Sequence, residues 1–477
     1  MHIKYILVSL AFTLLASWII PTEFTTEDTA IHVPFIKKIL TPELYEGDYI
    51  FLSKSPQAEI SFYYLSLAFV SKQFNLTIKA LYEYGRNIYF FLFFITLFVY
   101  SQKFFTRISI GMILGLIVFF HIPIGGTATF HLEAEIIPRA LGMLMSLIIL
   151  YLILTQRKRQ GILFVGVAFA VHPLSAFYTL CLIGVYMLYK EQFMSPSRII
   201  YFFCTILGLL IFLNLINFNL LSIDRFWLSI IRFRNSYAFL DLWNIVAWFN
   251  LLVTLVPGLI FLNQKKTRLH KWKFILRVTY FTAIIITFVH ICFALIYPID
   301  FVISLQLLRI WYYPTACSLA CFAYYVTNYF KSRISKSVLL GIFLFVAVVF
   351  LSNKSNHTSS QWLEVGDWVS INIKKNCTFL VPFYSKGFRA ISNRSSSGEF
   401  KDGALSFYSK EFALSWYKRY QDLHNWETLT TAQIGELSYK YHFQYIVESK
   451  NQERNLTKVY FNDNYQIYQI SPLTICK

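Results

Sequence analysis

His131–Gly142 reads HLEAEIIPRALG. Glu133, Glu135 and Arg139 stand here at the edge of a long apolar run that continues to about residue 154. Charge at a membrane boundary is costly unless it has a partner or a task. A Glu-X-Glu pair can hold a hard divalent cation, Mn or Mg, through carboxylate oxygens. An arginine four residues on can grip a phosphate with its planar fork. The stretch therefore reads as a polar edge on an apolar helix. The rest of the sequence decides whether that edge belongs to a membrane protein.

The 477 residues are 56% hydrophobic and 14% charged, with a mean hydropathy of +0.51. A soluble domain carries roughly 25% charged residues. Apolar runs near span length recur from end to end, which gives a polytopic helical membrane protein. The 48 Phe and 32 Tyr suit lipid contact and interfacial belts. Much of the net charge of +18 sits in short clusters between apolar runs, where topology signals belong. That placement rejects nucleic acid as a partner and favours anionic membrane lipids. Cys181, Cys204, Cys292, Cys317 and Cys321 fall in apolar runs and read as packing residues. Cys377 and Cys476 lie in a polar C-terminal region, where an oxidising compartment would allow them to pair.

Residues 5–20 follow a lone Lys4 and end in Trp18-Ile19-Ile20-Pro21, without a small-X-small cleavage site. They read as a retained first helix. Residues 21–60 are polar and acidic, with Thr26 as N-cap of a short helix over 27–40 and Glu27 and Asp28 in its first turn. The apolar run at 60–71 is short for a span. If it lies on the surface, spans fall near 87–101, 108–122, 137–154, 162–175, 176–189, 199–221, 242–262, 273–296, 302–327 and 337–352. One set of loops then carries Lys103 and Arg107, Arg157–Arg159, Lys190 and Arg198, Lys265–Lys273, and Lys331–Lys336; the opposite set carries Glu27, Asp28, Glu133, Glu135, Asp224, Asp241 and Asp300. This is the positive-inside pattern, and it predicts about eleven spans with the N-terminus cytoplasmic and the C-terminus outside. Pro173 splits 162–189, either as a tight external turn at His172-Pro173, which this topology adopts, or as a kink in one helix.

The membrane part is thus 1–352, with external loops at 21–86 and 123–136. From about 353 the composition turns mixed polar. Residues 353–477 read as an extracytoplasmic α/β domain, large enough for its own core. Its expected strands are 378–382, 445–448, 458–461 and 465–470, and its helices 361–373 and 409–423. Asn462-Asp463-Asn464 is a turn between two strands.

Walker, dinucleotide-binding, serine-hydrolase and zinc-protease motifs are absent. Loop charges near the membrane remain. Glu27 and Asp28 read either as helix-capping acids or as a base or metal ligand. His131 reads as a ligand or an exposed loop residue, and His172 and His290 as turn or core residues. Arg309, in LQLLRIWYY, is expensive to bury unless it meets a carboxylate or a phosphate; Asp300 is its salt-bridge candidate.

An acid in the first external loop, an E-X-E pair in the second and a C-terminal external domain resemble the GT-C membrane glycosyltransferases. The similarity is greatest to oligosaccharyltransferase catalytic subunits; protein O-mannosyltransferases and lipid A aminoarabinose transferases share the plan. The resemblance implies that Asp28 or Glu27 activates the acceptor, that Glu133 and Glu135 bind a divalent cation with Asp28, and that Arg139 or Arg309 meets the phosphate of a polyprenyl-phosphate-linked sugar. Phe383-Tyr384-Ser385-Lys386-Gly387, followed by Asn393-Arg394, aligns with the sequon-reading segment, although its tryptophans and aspartate are missing. His131, His172 and Arg394 are then acceptor-side or accessory residues. The implied function is inverting sugar transfer in envelope glycan or glycoconjugate assembly, in a bacterial inner membrane with the C-terminal domain in the periplasm. The alternatives are an O-antigen polymerase or ligase-like enzyme, and a transporter or scaffold subunit of polysaccharide export. Few mid-bilayer charges and no internal repeat weigh against transport.

Overall fold

The computed structural model describes residues 3–20, 28–52, 61–190, 223–265, 269–329, 360–450 and 453–470. Glu27, Cys204, Cys476 and the expected spans near 199–221 and 337–352 lie outside them. The chain divides into two compact units. The first comprises Met1–Thr22, Tyr84–Asp224 and Ser236–Lys354; the second comprises Glu23–Glu83, Arg225–Asn235 and Ser355–Lys477.

In chain order the longer helices are α1 (Ile3–Ile19), α2 (Thr29–Leu40), α3 (Phe62–Phe74), α4 (Ile78–Phe105), α5 (Ile108–Val118), α6 (Pro138–Leu154), α7 (Lys158–Val171), α8 (Pro173–Lys190), α9 (Arg225–Arg234), α10 (Ile245–Asn263), α11 (His270–His290), α12 (Tyr312–Tyr329), α13 (Ser360–Asn372), α14 (Lys410–Leu423) and α15 (Thr431–Tyr441). Among the described residues three helices are long and apolar enough to cross a membrane: α4, α10, and α11 with its π-helical extension to Ile296. Helices α1, α5, α6 and α8 are apolar and shorter. Helix α10 exposes Ile245, Phe249, Leu252 and Val256 along its length, as a lipid-facing helix does.

The first unit is helical. Its core gathers Met143, Tyr178, Leu182, Ile286, Phe293 and Ile310 from α6, α8, α11 and the segment before α12. His172 ends α7 in extended conformation and Pro173 opens α8, so the expected break is present. Proline suits this first helical position because its missing N–H has no intrahelical partner there. The expected span at 302–327 is interrupted. A short helix, Asp300–Ser304, gives way to left-handed Gln306 (φ 48°) and a 3-10 turn over Leu307–Trp311 before α12 begins.

The second unit contains a five-stranded sheet in the order β2-β1-β3-β5-β4, with strands β1 (Thr378–Leu380), β2 (Ser395–Ser396), β3 (Tyr445–Ser449), β4 (Thr457–Phe461) and β5 (Tyr465–Gln469). Strand β1 is parallel to β2 and β3; β5 is antiparallel to β3 and β4. Successive side chains of β3 point to opposite faces, so Val447 packs with Trp362, Val365 and Phe388, while Ile446 packs with Trp426, Ile434 and Tyr468. Asn462 Oδ1 accepts from the Asn464 and Tyr465 N–H groups, which makes the expected turn between β4 and β5. Cys377 is disulfide-bonded.

Candidate functional site

In the first unit, the loop before α6 is set by a close approach. An ideal Cβ on Gly126 would lie 2.5 Å from Trp243 Cδ1, and Gly125 holds φ +55°. Only glycine fits both requirements. The loop folds back through Ile124 N–H to Thr129 O (3.0 Å) and delivers His131, Glu133 and Glu135 to the N-terminus of α6. Glu133 is buried and grips Arg139 with both oxygens, at 2.8 and 3.2 Å. This bidentate pair forms within the quoted stretch, so two of the residues read there do meet. Glu135 is half-buried. Among the described residues no three His, Cys, Asp or Glu side chains come together to hold a metal ion. With Glu133 already held by Arg139, the residues as placed do not make a metal site.

His131 is buried, not an exposed loop residue. Its ring lies 5.4 Å from that of Tyr312, its Nε2 has no hydrogen-bond partner, and burial lowers its pKa to about 4. It lines an otherwise largely apolar cavity walled by Leu97, Leu147, Leu150, Ile275 and Tyr313 among others. His172 accepts from the Ser175 N–H at Nδ1 (3.2 Å), which caps the start of α8. Arg309 is buried with its guanidinium 5.4 Å from the Tyr237 ring and its Nε without a partner. Asp300 accepts from Ser304 Oγ (3.4 Å) instead of meeting it. Two neighbours in sequence and packing share this condition: Gln306 Oε1 and both ring nitrogens of His290 are buried and unpartnered. His290 sits where α11 passes into a π-helical turn, a distortion frequent at functional sites. In the sequence His290 reads as a core residue; its unpaired nitrogens appear only in the fold.

In the second unit, Asp28 is the N-cap of α2, two residues later than expected, and its side chain makes no cap hydrogen bond. Its carboxylate goes to Lys401 (2.9 Å) instead. One helical turn on, His32 Nδ1 hydrogen-bonds Tyr64 Oη (2.7 Å). Nearby in sequence, Asp48 takes part in the most charged interior of the unit. Arg389 reaches Asp48 at 2.6 and 3.1 Å, Asp402 at 2.9 Å and Glu399 at 3.2 Å, all buried. Tyr49 Oη donates to Asp402 (2.7 Å), and the Ser396 N–H to Asp48 (2.9 Å). Three carboxylates face one guanidinium. Burial, reinforced by the neighbouring carboxylates, pushes Glu399 up to about 8 and Asp402 upward as well. Arg394 gives its guanidinium to backbone carbonyls, Ser370 O (3.0 Å) and Ile373 O (3.0 Å) at the end of α13, and Asn393 O (3.0 Å). It is a clamp on that helix end.

One protein family matches the chain, a domain of unknown function (DUF6798), over residues 360–423. That range holds Arg389, Glu399 and Asp402. No curated protein matches. Among solved structures, the Archaeoglobus fulgidus oligosaccharyltransferase tethered to an acceptor peptide containing the NVT sequon is similar, with a TM-score of 0.53 at 9% identity, over 94% of this chain and 69% of that one. The chain shares the fold of that oligosaccharyltransferase. The archaeal oligosaccharyltransferase AglB from Archaeoglobus fulgidus, in complex with an inhibitory peptide and a dolichol-phosphate, is similar with a TM-score of 0.48 at 10% identity, over 94% and 69% of the two chains. The apolar helices of the chain are those of a membrane protein.

Proposed function

We propose that the protein is an inverting membrane glycosyltransferase. It takes a polyprenyl-phosphate-linked sugar at the outer face of the membrane and passes it to an acceptor hydroxyl in cell-envelope glycan or glycoconjugate assembly. The observation that carries the reading is Arg309: a buried cation with an unpartnered Nε, in a 3-10 turn next to the unpartnered Oε1 of Gln306, with His290 on the helix packed against that turn. Buried polar groups are normally paired, and a bound phosphate would pair an arginine by charge-assisted hydrogen bonds.

In this proposal the donor's tail lies in the apolar cavity of the first unit, and its phosphate meets Arg309, assisted by Arg139. Asp28 or Glu27 is the general base. It takes the proton of the acceptor hydroxyl as that oxygen attacks the anomeric carbon. The bond from the anomeric carbon to the phosphate oxygen breaks, and the electron pair leaves with the phosphate, where fixed positive charge stabilises it. Lys401 holds the Asp28 carboxylate in place. The divalent cation implied by the resemblance carries no step here, because Glu133 is already engaged by Arg139. The proposal includes about eleven spans, a cytoplasmic N-terminus and an external second unit in a bacterial inner membrane. The test is Arg309→Met in nanodiscs loaded with polyprenyl-phosphate-linked sugar, read as polyprenyl phosphate released. A fall of 100-fold or more is expected, with an unchanged helical spectrum; turnover equal to wild type would remove the reading.

A further inference from the structure

Helix α3 buries one face and leaves the other open. Tyr63, Tyr64, Ala68 and Ser71 are buried, and α3 packs against α2. The Tyr64 ring stacks on Phe35 of α2 at 5.3 Å. On the opposite side Phe62, Leu65 and Phe69 are 51%, 48% and 67% exposed. Their i, i+3, i+7 spacing puts them on one stripe. Three large apolar side chains in a row on a helix already anchored by its other face call for a cover.

Length and connection say what the cover is. The 13 residues of α3 make a rod of about 20 Å, too short for a hydrocarbon core of about 30 Å. Asn75, in left-handed conformation, ends the helix, and α4 begins at Ile78. The three residues between reach at most about 10 Å. Helix α4 has span length, and it exposes Tyr84, Ile88 and Leu92 at four-residue spacing, an apolar stripe with its aromatic at the near end. Tyrosine at a span's end marks the headgroup level. The exposed Lys72 and Lys79 flank the junction and suit anionic headgroups.

We propose that α3 is an interfacial helix whose Phe62–Leu65–Phe69 stripe is buried in the headgroup–acyl boundary of the bilayer that α4 crosses. The occupant of this face is lipid. Whether or not the protein transfers sugar, this placement stands on its own.

The test is p-benzoylphenylalanine placed singly at Phe62, Leu65, Phe69 and, as a control, at the exposed Tyr439 of α15. The full chain is reconstituted in vesicles of phosphatidylethanolamine and phosphatidylglycerol, irradiated, and its adducts identified by mass spectrometry. Lipid adducts at the three stripe positions are expected at five times the Tyr439 yield or more. Lipid yields at the control level overturn the proposal. So do adducts to a second copy of the chain, or to another segment of the same chain.

Discussion

Replacing Arg389 with methionine should be among the most damaging single changes in the second unit. The side chain is 2% exposed, and its ion-pair partners Asp48, Glu399 and Asp402 are equally buried. Methionine would keep much of the volume and leave three carboxyl groups without a counter-charge. Removing one partner of a buried pair costs about 3–5 kcal/mol. In a unit of about 200 residues each kcal/mol moves the midpoint by about 2–4 °C, so a fall of roughly 6–20 °C is expected at pH 7. The pH dependence has a definite sign. Glu399 keeps its proton to about pH 8 in the folded chain, against a usual value of 4.5. The native state therefore binds more protons than the unfolded state between these values, and stability falls as pH rises through that window. Acidification supplies the missing neutralisation, so the Arg389→Met penalty should shrink towards pH 5. Glu399→Gln should flatten the wild-type profile between pH 5 and 8. Thermal unfolding in detergent, followed by the fluorescence of buried Trp416 and Trp426, reads the wild type and both variants. A loss under about 1 kcal/mol for Arg389→Met, or one equal at pH 5 and pH 8, would refute the electrostatic reading of the cluster.

Lys401→Met should cost the fold about 1 kcal/mol or less, since the Asp28 pair is partly open to solvent, yet lower transfer more than tenfold. Exchanging the two charges (Asp28→Lys with Lys401→Asp) should restore stability without restoring transfer, as melting curves and turnover together would show. Gly142→Val should destabilise the first unit by about 1–3 kcal/mol through overpacking, because an ideal Cβ there lies 2.7 Å from His172 Cβ and 2.9 Å from Ser175 Cβ. Limited proteolysis of the reconstituted protein checks it. Arg394→Lys should fail to replace arginine, losing about 1–3 kcal/mol, since a single ammonium cannot reach the Ser370, Ile373 and Asn393 carbonyls together; chemical denaturation reads that loss.

Much of the fold was legible because its signals are local. Alternation and turn residues placed β3, β4 and β5 within a residue or two, and Pro173 ended α7 where ring chemistry required. Glu133 and Arg139 stand out in the sequence as charges at an apolar edge, whereas their ion pair is seen only in the fold. What could not be read depends on residues far apart in the chain. Arg389 and Asp48 are 341 positions apart, and neither neighbourhood hints at the other. The first loop has no periodicity that announces its membership of the second unit. Arg309 stands out in the sequence by its charge, while its 3-10 setting depends on a left-handed glutamine that propensity disfavours. Helix α2 starts after Asp28, where its carboxylate turns to Lys401, a tertiary partner that capping rules do not see.

The proposed reaction rests on Asp28 as the base and on Arg309 as the cation that holds the donor phosphate. It is tested most directly by turnover of polyprenyl-phosphate-linked sugar in nanodiscs holding the wild-type chain, Asp28→Asn or Arg309→Met. Lipid phosphate should be released by the wild type and fall at least a hundredfold in each variant, with donor still bound. Wild-type release rates in both variants would contradict the account.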